Sequence, residues 1–215
     1  MEFDFATLSA ADRYKLIASS VTPRPIAWLT TQSAAGVPNA APYSFFNAIS
    51  GDPTLVVIGI MRRANGTHKD SAANILETGE FVVNLVAEHD AEAMNFTCID
   101  APPEFDEGLH AGLELVPSSA VAPQRIATAP VSLECKLYQS IEAGRTTIIL
   151  GEVIRFHISD AFVDPERLHV DAAAMGLIAR MHGRGVYART TDLFEMNRPD
   201  FAAWAAQQEQ EPGTS

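Results

Sequence analysis

Val131-Ser-Leu-Glu-Cys-Lys-Leu-Tyr138, followed after a short Glu142-Ala-Gly-Arg145 turn by an alternating run from Thr146 to Ser159, decides the architecture. In the first run Leu133, Cys135 and Leu137 fall on one face. In the second, Ile154, Phe156 and Ile158 oppose Arg155 and His157. A period of two means strands, and so short a turn joins antiparallel neighbours, because parallel ones need a long crossover. Working outward, Thr54-Leu-Val-Val-Ile-Gly-Ile-Met61 is continuously apolar and β-branched, which predicts a central strand buried on both faces. Glu80-Phe-Val-Val-Asn-Leu-Val86 predicts another. Ile26 to Thr31 and Asn39 to Phe46, separated by a turn from Gln32 to Pro38 that contains Gly36, read as a hairpin, and Val186 to Thr190 as a last short strand.

Helices are inserted between these strands and do not alternate with them. Ser9-Ala-Ala-Asp12 is a capping pair ahead of a short helix through Ile17, and Thr22-Pro23-Arg24-Pro25 forces an extended entry into the first strand. Asp70 to Thr78 has helix propensity, with Gly79 where a C-terminal cap belongs, and His89 to Thr97 can form a second helix. Ile99 to Gln124, rich in Pro, Gly and acid, reads as a long excursion over the surface, and such loops usually have a role. Six or seven strands, mostly in hairpins, predict a mainly β (β+α) chain: an antiparallel barrel with peripheral helices, not a doubly wound parallel sheet. No Gly-x-Gly-x-x-Gly follows the first strand, so a dinucleotide fold fails locally as well. Residues 1–206 are expected to form one domain and residues 207–215 a polar tail.

With 27 acidic against 15 basic residues, the formal net charge of -12 argues against nucleic acid and anionic membranes as partners, since both reward a basic face. The only cysteines, Cys98 and Cys135, form neither a CxxC pair nor a disulfide framework, so a reducing cytoplasm is the expected setting. The first residues lack the basic flank and apolar stretch of a secretion signal, and no run of about eighteen apolar residues occurs.

Hydrolytic and metal motifs are missing: there is no Gly-x-Ser-x-Gly, no His-Glu-x-x-His and no phosphate-binding Gly-x-x-x-x-Gly-Lys-Ser/Thr run. The histidines at 68, 89, 110, 157, 169 and 182 form no close pair on a helix, which disfavours metal catalysis. What stands out is a local charge excess. From Arg13 to Lys69 there are six basic residues and one acid, Asp52. Within it, Arg62-Arg63-Ala-Asn-Gly-Thr67-His68-Lys69-Asp70-Ser71 places three cations and a glycine just before a helix start, where backbone N–H groups favour anions and phosphate above all. A solvated basic loop accounts for the same charges. Tyr43-Ser-Phe-Phe-Asn-Ala-Ile-Ser50 offers aromatics, hydroxyls and an amide suited to a planar ring system, although Phe45 and Phe46 could equally be core residues. Taken together the two segments make the two ends of a mononucleotide site.

The chain also carries, in order, Thr22-Pro-Arg-Pro-Ile-Ala-Trp28, Gly36-x-x-Asn39-x-Ala-Pro-x-Ser-x-Phe-Asn47, Ser50-x-Asp-Pro53, Lys69-Asp-Ser-x-x-Asn-Ile75, Glu80-Phe-Val-Val-Asn84 and Met181-His-Gly-Arg-Gly-Val-Tyr187-Ala-Arg189. In these motifs, which are weak singly and specific jointly, it resembles the flavin reductase-like FMN-binding split barrels, a family that includes flavoredoxin and the reductase components of two-component monooxygenases. Ser71 stands where many members have Thr and keeps the hydroxyl. The resemblance implies an FMN-binding split β-barrel in which Ser44, Phe45, Phe46, Asn47 and Ala48 line the isoalloxazine and ribityl part of FMN, while Arg62, Thr67, Lys69 and Ser71 hold the phosphate, with Asp70 also among the cofactor-binding residues. A second acid-free stretch, Ala172 to Thr191, holds Arg180, His182, Arg184 and Arg189 around two glycines. In the family this segment approaches the flavin, often from the neighbouring subunit of a homodimer, which makes His182 and Tyr187 candidates for the face where nicotinamide stacks; a basic turn closing the barrel is the plainer alternative. Asn74 and Asn84 are expected to tie backbone together. The implied activity is an NAD(P)H-dependent flavin reductase that passes electrons to a flavin-dependent monooxygenase or another acceptor. Two rivals stay open: an FMN-binding electron carrier without NAD(P)H activity, and a pyridoxamine-phosphate-oxidase-like enzyme with a substrate of its own.

Overall fold

A computed structural model describes residues 1–99, 101–102, 105–183, 185–202 and 204–205. Ser9 caps the first helix, its Oγ accepting the Asp12 N–H at 3.1 Å, and α1 spans Ala10–Ser20, one turn past the expected end at Ile17. After it come β1 (Ala27–Gln32), β2 (Pro38–Tyr43), β3 (Phe46–Gly51) and β4 (Thr54–Met61), then α2 (Asp70–Thr78) and β5 (Glu80–Leu85). Helix α3 (Ala91–Phe96), the short α4 (Glu107–His110) and the two-residue strands β6 (Leu115–Val116) and β7 (Arg125–Ile126) precede the long hairpin of β8 (Val131–Ala143) and β9 (Thr146–Ile158). Two ribbons complete the chain: β10 (Val163–Asp164) with β11 (His169–Val170), and β12 (Ile178–Arg180) with β13 (Tyr187–Arg189). The tail at 207–215 lies outside the described residues, as does Arg184.

Seven strands form one antiparallel sheet in the order β2-β1-β5-β8-β9-β4-β3. Its two edge strands are consecutive in the chain, joined only by Ser44 and Phe45, so the sheet must curl until its ends meet. No ladder joins β2 to β3 among the described residues, and the barrel is split along that seam. The architecture is therefore mainly β, a split barrel with peripheral helices.

The seam explains one departure from the sequence reading, which made Asn39 to Phe46 a single extended run. The chain turns a corner at Ser44-Phe45, because β2 pairs with β1 whereas β3 pairs with β4 on the far edge, in the register Phe46↔Ile58. The Phe45 carbonyl accepts the Gly59 N–H at 2.7 Å, and a Cβ on Gly59 would lie 3.3 Å from the Phe45 Cβ, so this close approach favours glycine.

Inside the barrel, Leu29, Ile58, Ile60, Phe81, Val83, Cys135 and Ile149 pack against Ala72 and Ile75 of α2, which plugs it; Gly79 ends that helix at φ +73°. A second core lies outside the sheet, where Trp28 and Val86 meet Met94 of α3, Ile126 and Ile178. Consequently β1 and β5, not β4, are the strands buried on both faces. In β4 only Leu55, Val56, Ile58 and Ile60 are buried, and Val57 and Gly59 are half-covered because the strand lies next to the edge. The expected apolar face of β9 also fails at its far end: Phe156 is 58% exposed, while His157 turns inward to Glu134. A register shift between Glu134 and Cys135 goes with this change.

The excursion from Ile99 to Gln124 is pinned to the barrel by that same glutamate. Glu134 is 0% exposed, and its carboxylate accepts the Ser119 N–H (2.8 Å) and Oγ–H (3.0 Å), the Ala120 N–H (2.6 Å) and His157 Nε2 (2.5 Å). Burial alone would push its pKa up. The hydrogen bonds override that and hold it at about 2. Asn84, also 0% exposed, gives Nδ2 to the Trp28 carbonyl and Thr30 Oγ1 and accepts the Ile126 N–H and Ser132 O–H, tying four strands together. Among the described residues no helix is long and apolar enough to cross a membrane.

Candidate functional site

Helix α2 begins at Lys69, whose backbone is extended and whose side chain caps nothing, so the first-turn N–H groups keep their partial positive charge. Around this start the chain leaves a recess of about 140 Å³ lined by Asn39, Pro42, Tyr43, Arg63, Lys69, Asp70, Ser71, Cys98 and Glu107, among others. Its floor is a buried hydroxyl network: Ser71 Oγ accepts Asn39 Nδ2 (2.9 Å) and Tyr43 Oη (3.1 Å), and both Asn39 and Asn74 donate to Thr31 Oγ1. Burial pushes the Tyr43 hydroxyl up to about 12, although the Ser71 bond pulls the other way, so it stays a neutral donor.

A second recess of about 340 Å³ adjoins the first and shares Pro42, Tyr43 and Cys98 with it. Ile26, Ser44, Met94, Asn95, Arg180, Gly185 and Tyr187 complete its wall. The Arg180 guanidinium lies 4.8 Å from the centre of the Tyr187 ring and donates to the Gly183 carbonyl at 2.9 Å, which braces the turn between β12 and β13. The Cys98 thiol, raised by burial and lowered in turn by Lys69 and Arg180, sits between the two ends. The result is one trough, with Lys69 and the start of α2 at one end and Tyr187 at the other.

Arg24 fixes its rim. This residue, 8% exposed, donates to the Ala18 and Val21 carbonyls at the end of α1, to the Met181 carbonyl at 3.0 Å and to Ser44 Oγ at 3.4 Å. Its backbone pairs with Arg180, and its guanidinium lies 5.8 Å from the Phe45 ring centre. The corner at Ser44 and the turn that carries Tyr187 are thus held by one side chain.

Of the residues singled out in the sequence, the structure brings Ser44, Lys69, Asp70, Ser71 and Tyr187 to the trough. Phe45 stands beside it against Tyr14 and Arg24, and Phe46 packs on the barrel core. Asn47 and Ala48 are both exposed in β3, with Asn47 Oδ1 accepting the Ala48 N–H. Arg62 turns to Glu142 at 2.8 Å, Thr67 bonds Asn65, and His182 is exposed outside the trough lining. Arg63 pairs with Asp70 at 2.7 Å, whereas Lys69 makes no ion pair among the described residues. The cationic run is therefore largely neutralised by acids, and Lys69 is the charge left facing the recess. Arg24 lay in plain view within Thr-Pro-Arg-Pro, but Glu107 and Cys98, on or next to the excursion, carried no signal. No group of three or more His, Cys, Asp or Glu is placed to hold a metal among the described residues.

The family model described as "Flavin reductase like domain" matches residues 19–176. An uncharacterized protein of Deinococcus radiodurans is 43% identical over 210 residues, 95% of this chain and 92% of its own. Among solved structures, nitrilotriacetate monooxygenase component B from Bacillus cereus matches with a TM-score of 0.87 at 31% identity, covering 91% of this chain and 98% of that one. The Pseudomonas fluorescens 2-nitrobenzoate 2-nitroreductase NbaA matches at 0.85 and 36%, covering 94% and 98%.

Proposed function

Because the chain belongs to the flavin reductase-like family, we propose that it is an FMN-dependent oxidoreductase in which NAD(P)H reduces the flavin and the electrons pass to an oxygenase or another acceptor. The observation that carries this reading is the two-ended trough. Lys69 and the uncapped start of α2 would hold a phosphate, with the Ser71 hydroxyl beside them. Pro42, Tyr43 and Ser44 would lie along the cofactor, and Tyr187 under Arg180 would offer the aromatic wall for the nicotinamide. The donor set fits a flavin mononucleotide: Lys69, without an ion pair among the described residues, and helix N–H groups for the phosphate, and a largely apolar recess for a ring.

When bound, the flavin would supply the redox chemistry, taking a hydride from the dihydronicotinamide together with a solvent proton and leaving the oxidised nicotinamide. The protein's part is positional. Arg24 holds the Ser44 corner and the Met181 carbonyl in one arrangement, so the two rings' binding walls keep a fixed spacing. Met94, Ile26 and Tyr187 would give that end an apolar wall. Among the described residues no group is placed as an obligatory acid, and hydride transfer between stacked rings needs none.

The test is a visible spectrum of the purified protein with FMN and, in parallel, FAD, followed by anaerobic mixing with NADH or NADPH. Retained flavin that bleaches faster than free flavin supports the reading. Protein that holds no flavin, or that adds nothing to the free-flavin rate with either nicotinamide, refutes it.

A further inference from the structure

Glu107 is 6% exposed, lines the recess at the start of α2, and its Oε2 is buried without a hydrogen-bond partner among the described residues. It makes no ion pair among the described residues. The groups around it are the Asp70 and Asp106 carboxyls, the Arg63 guanidinium and its own backbone N–H, with Lys69, the Tyr43 hydroxyl and the Cys98 thiol also lining the recess. Arg63 is already engaged with Asp70. An ionised Glu107 would therefore be a buried carboxylate with an empty acceptor, beside two other acids, at the place proposed for a phosphate. Acceptor facing acceptor repels; a carboxylic acid, by contrast, has one O–H to give.

We propose that Glu107 is a specificity residue for the phosphate, binding a phosphate monoester as the neutral acid and donating its hydrogen bond from Oε2. The inference rests on the FMN reading above and goes beyond it by naming the contact that reads the phosphate and by linking cofactor binding to proton uptake. Burial already raises the Glu107 carboxyl above its ordinary value, and Asp70 and Asp106 add to the effect, so its surroundings favour the protonated form. A dianion arriving beside it raises the group further, and one proton is taken up when FMN binds to protein in which Glu107 was ionised. The carboxyl reaches the recess on α4, within the long excursion that Glu134 pins to the barrel. That placement supplies a task for a loop of this length.

The experiment measures FMN and riboflavin affinity by flavin fluorescence from pH 5.5 to 9, for the wild-type chain and Glu107→Gln. Gln keeps the size and a permanent N–H donor but cannot ionise. Wild-type affinity for FMN is expected to fall at least tenfold relative to the variant as pH rises across this range, while riboflavin, lacking phosphate, shows no such divergence. The phosphate's own second ionisation, near pH 6, acts on both proteins alike and cancels in the ratio. Calorimetry of wild-type FMN binding in two buffers of different ionisation enthalpy gives a second measure that needs no variant, with net proton uptake expected above pH 7. Parallel FMN profiles for the two proteins, or wild-type binding without proton uptake anywhere in the range, overturn the role of Glu107 while leaving the FMN reading intact. Failure of both proteins to bind FMN removes that reading itself.

Discussion

Replacing Glu134 by Gln tests whether the excursion is held by a buried charge or only by shape. The carboxylate is fully buried and accepts four hydrogen bonds, from Ser119 (two), Ala120 and His157. Its pKa lies at about 2 against an ordinary 4.5. At 1.36 kcal/mol per pH unit that gap is worth about 3 kcal/mol of folded-state stability at neutral pH. A depressed carboxyl contributes this fully above its unfolded value and loses it as pH falls from about 4.5 toward 2. Gln offers one acceptor and turns an NH2 group toward backbone N–H donors, so the variant should lose about 3 kcal/mol, within the range for breaking a buried charged contact. For a chain of this size that corresponds to a melting temperature lower by about 6–12 °C. Urea unfolding followed by tryptophan fluorescence at pH 7, repeated at steps down to pH 3, supplies both numbers. The wild type should lose stability toward the acid end more steeply than the variant. A change under about 1 kcal/mol at pH 7, or acid slopes that run parallel, would refute the reasoning.

Gly151→Ala is expected to cost about 1–3 kcal/mol, since its Cβ would fall 2.2 Å from Cζ of the fully buried Phe81; adding Phe81→Leu should recover part of the loss in thermal melts, and a neutral single variant would show that the ring has room to move. Asn84→Ala should destabilise by about 3 kcal/mol by leaving buried donors and acceptors of four strands unmade, without shifting bound-flavin absorbance in the protein that remains folded. Lys69→Ala is expected to weaken FMN binding by about 1.5–3 kcal/mol and leave riboflavin unaffected in the same fluorescence titration; equal effects on both would move the phosphate away from α2. Tyr187→Ala should keep FMN bound while slowing reduction by NAD(P)H in stopped flow, and equal loss of both would place the ring on the cofactor side.

Much of the barrel was legible because its cues are local. Alternation in Val131 to Tyr138, the short Gly144-containing turn and the cap at Gly79 each act over a few residues, and the structure realises them as β8, its hairpin with β9 and the end of α2. The helix start at Lys69 was legible for the same reason. Long-range pairing decided the rest. The corner at Ser44-Phe45 exists because the last strand of the ladder must return beside the first, a closure condition that no window of eight residues contains. Which cation stays available was equally a matter of tertiary structure: Arg62 meets Glu142, far along the chain, Arg63 meets Asp70, and Lys69 lines the recess without an ion pair among the described residues. Glu134 and Glu107 are acids in the sequence like any others. Burial under the excursion makes Glu134 a fully bonded anchor, while Glu107, on the excursion itself, keeps Oε2 without a hydrogen-bond partner among the described residues. Composition and periodicity by themselves determined that the chain forms antiparallel strands around a helix starting at Lys69, because those follow from local backbone chemistry. The folded chain alone decided which charges remain unpaired in the trough, because electrostatic partners are set by strand register and burial and not by distance along the chain.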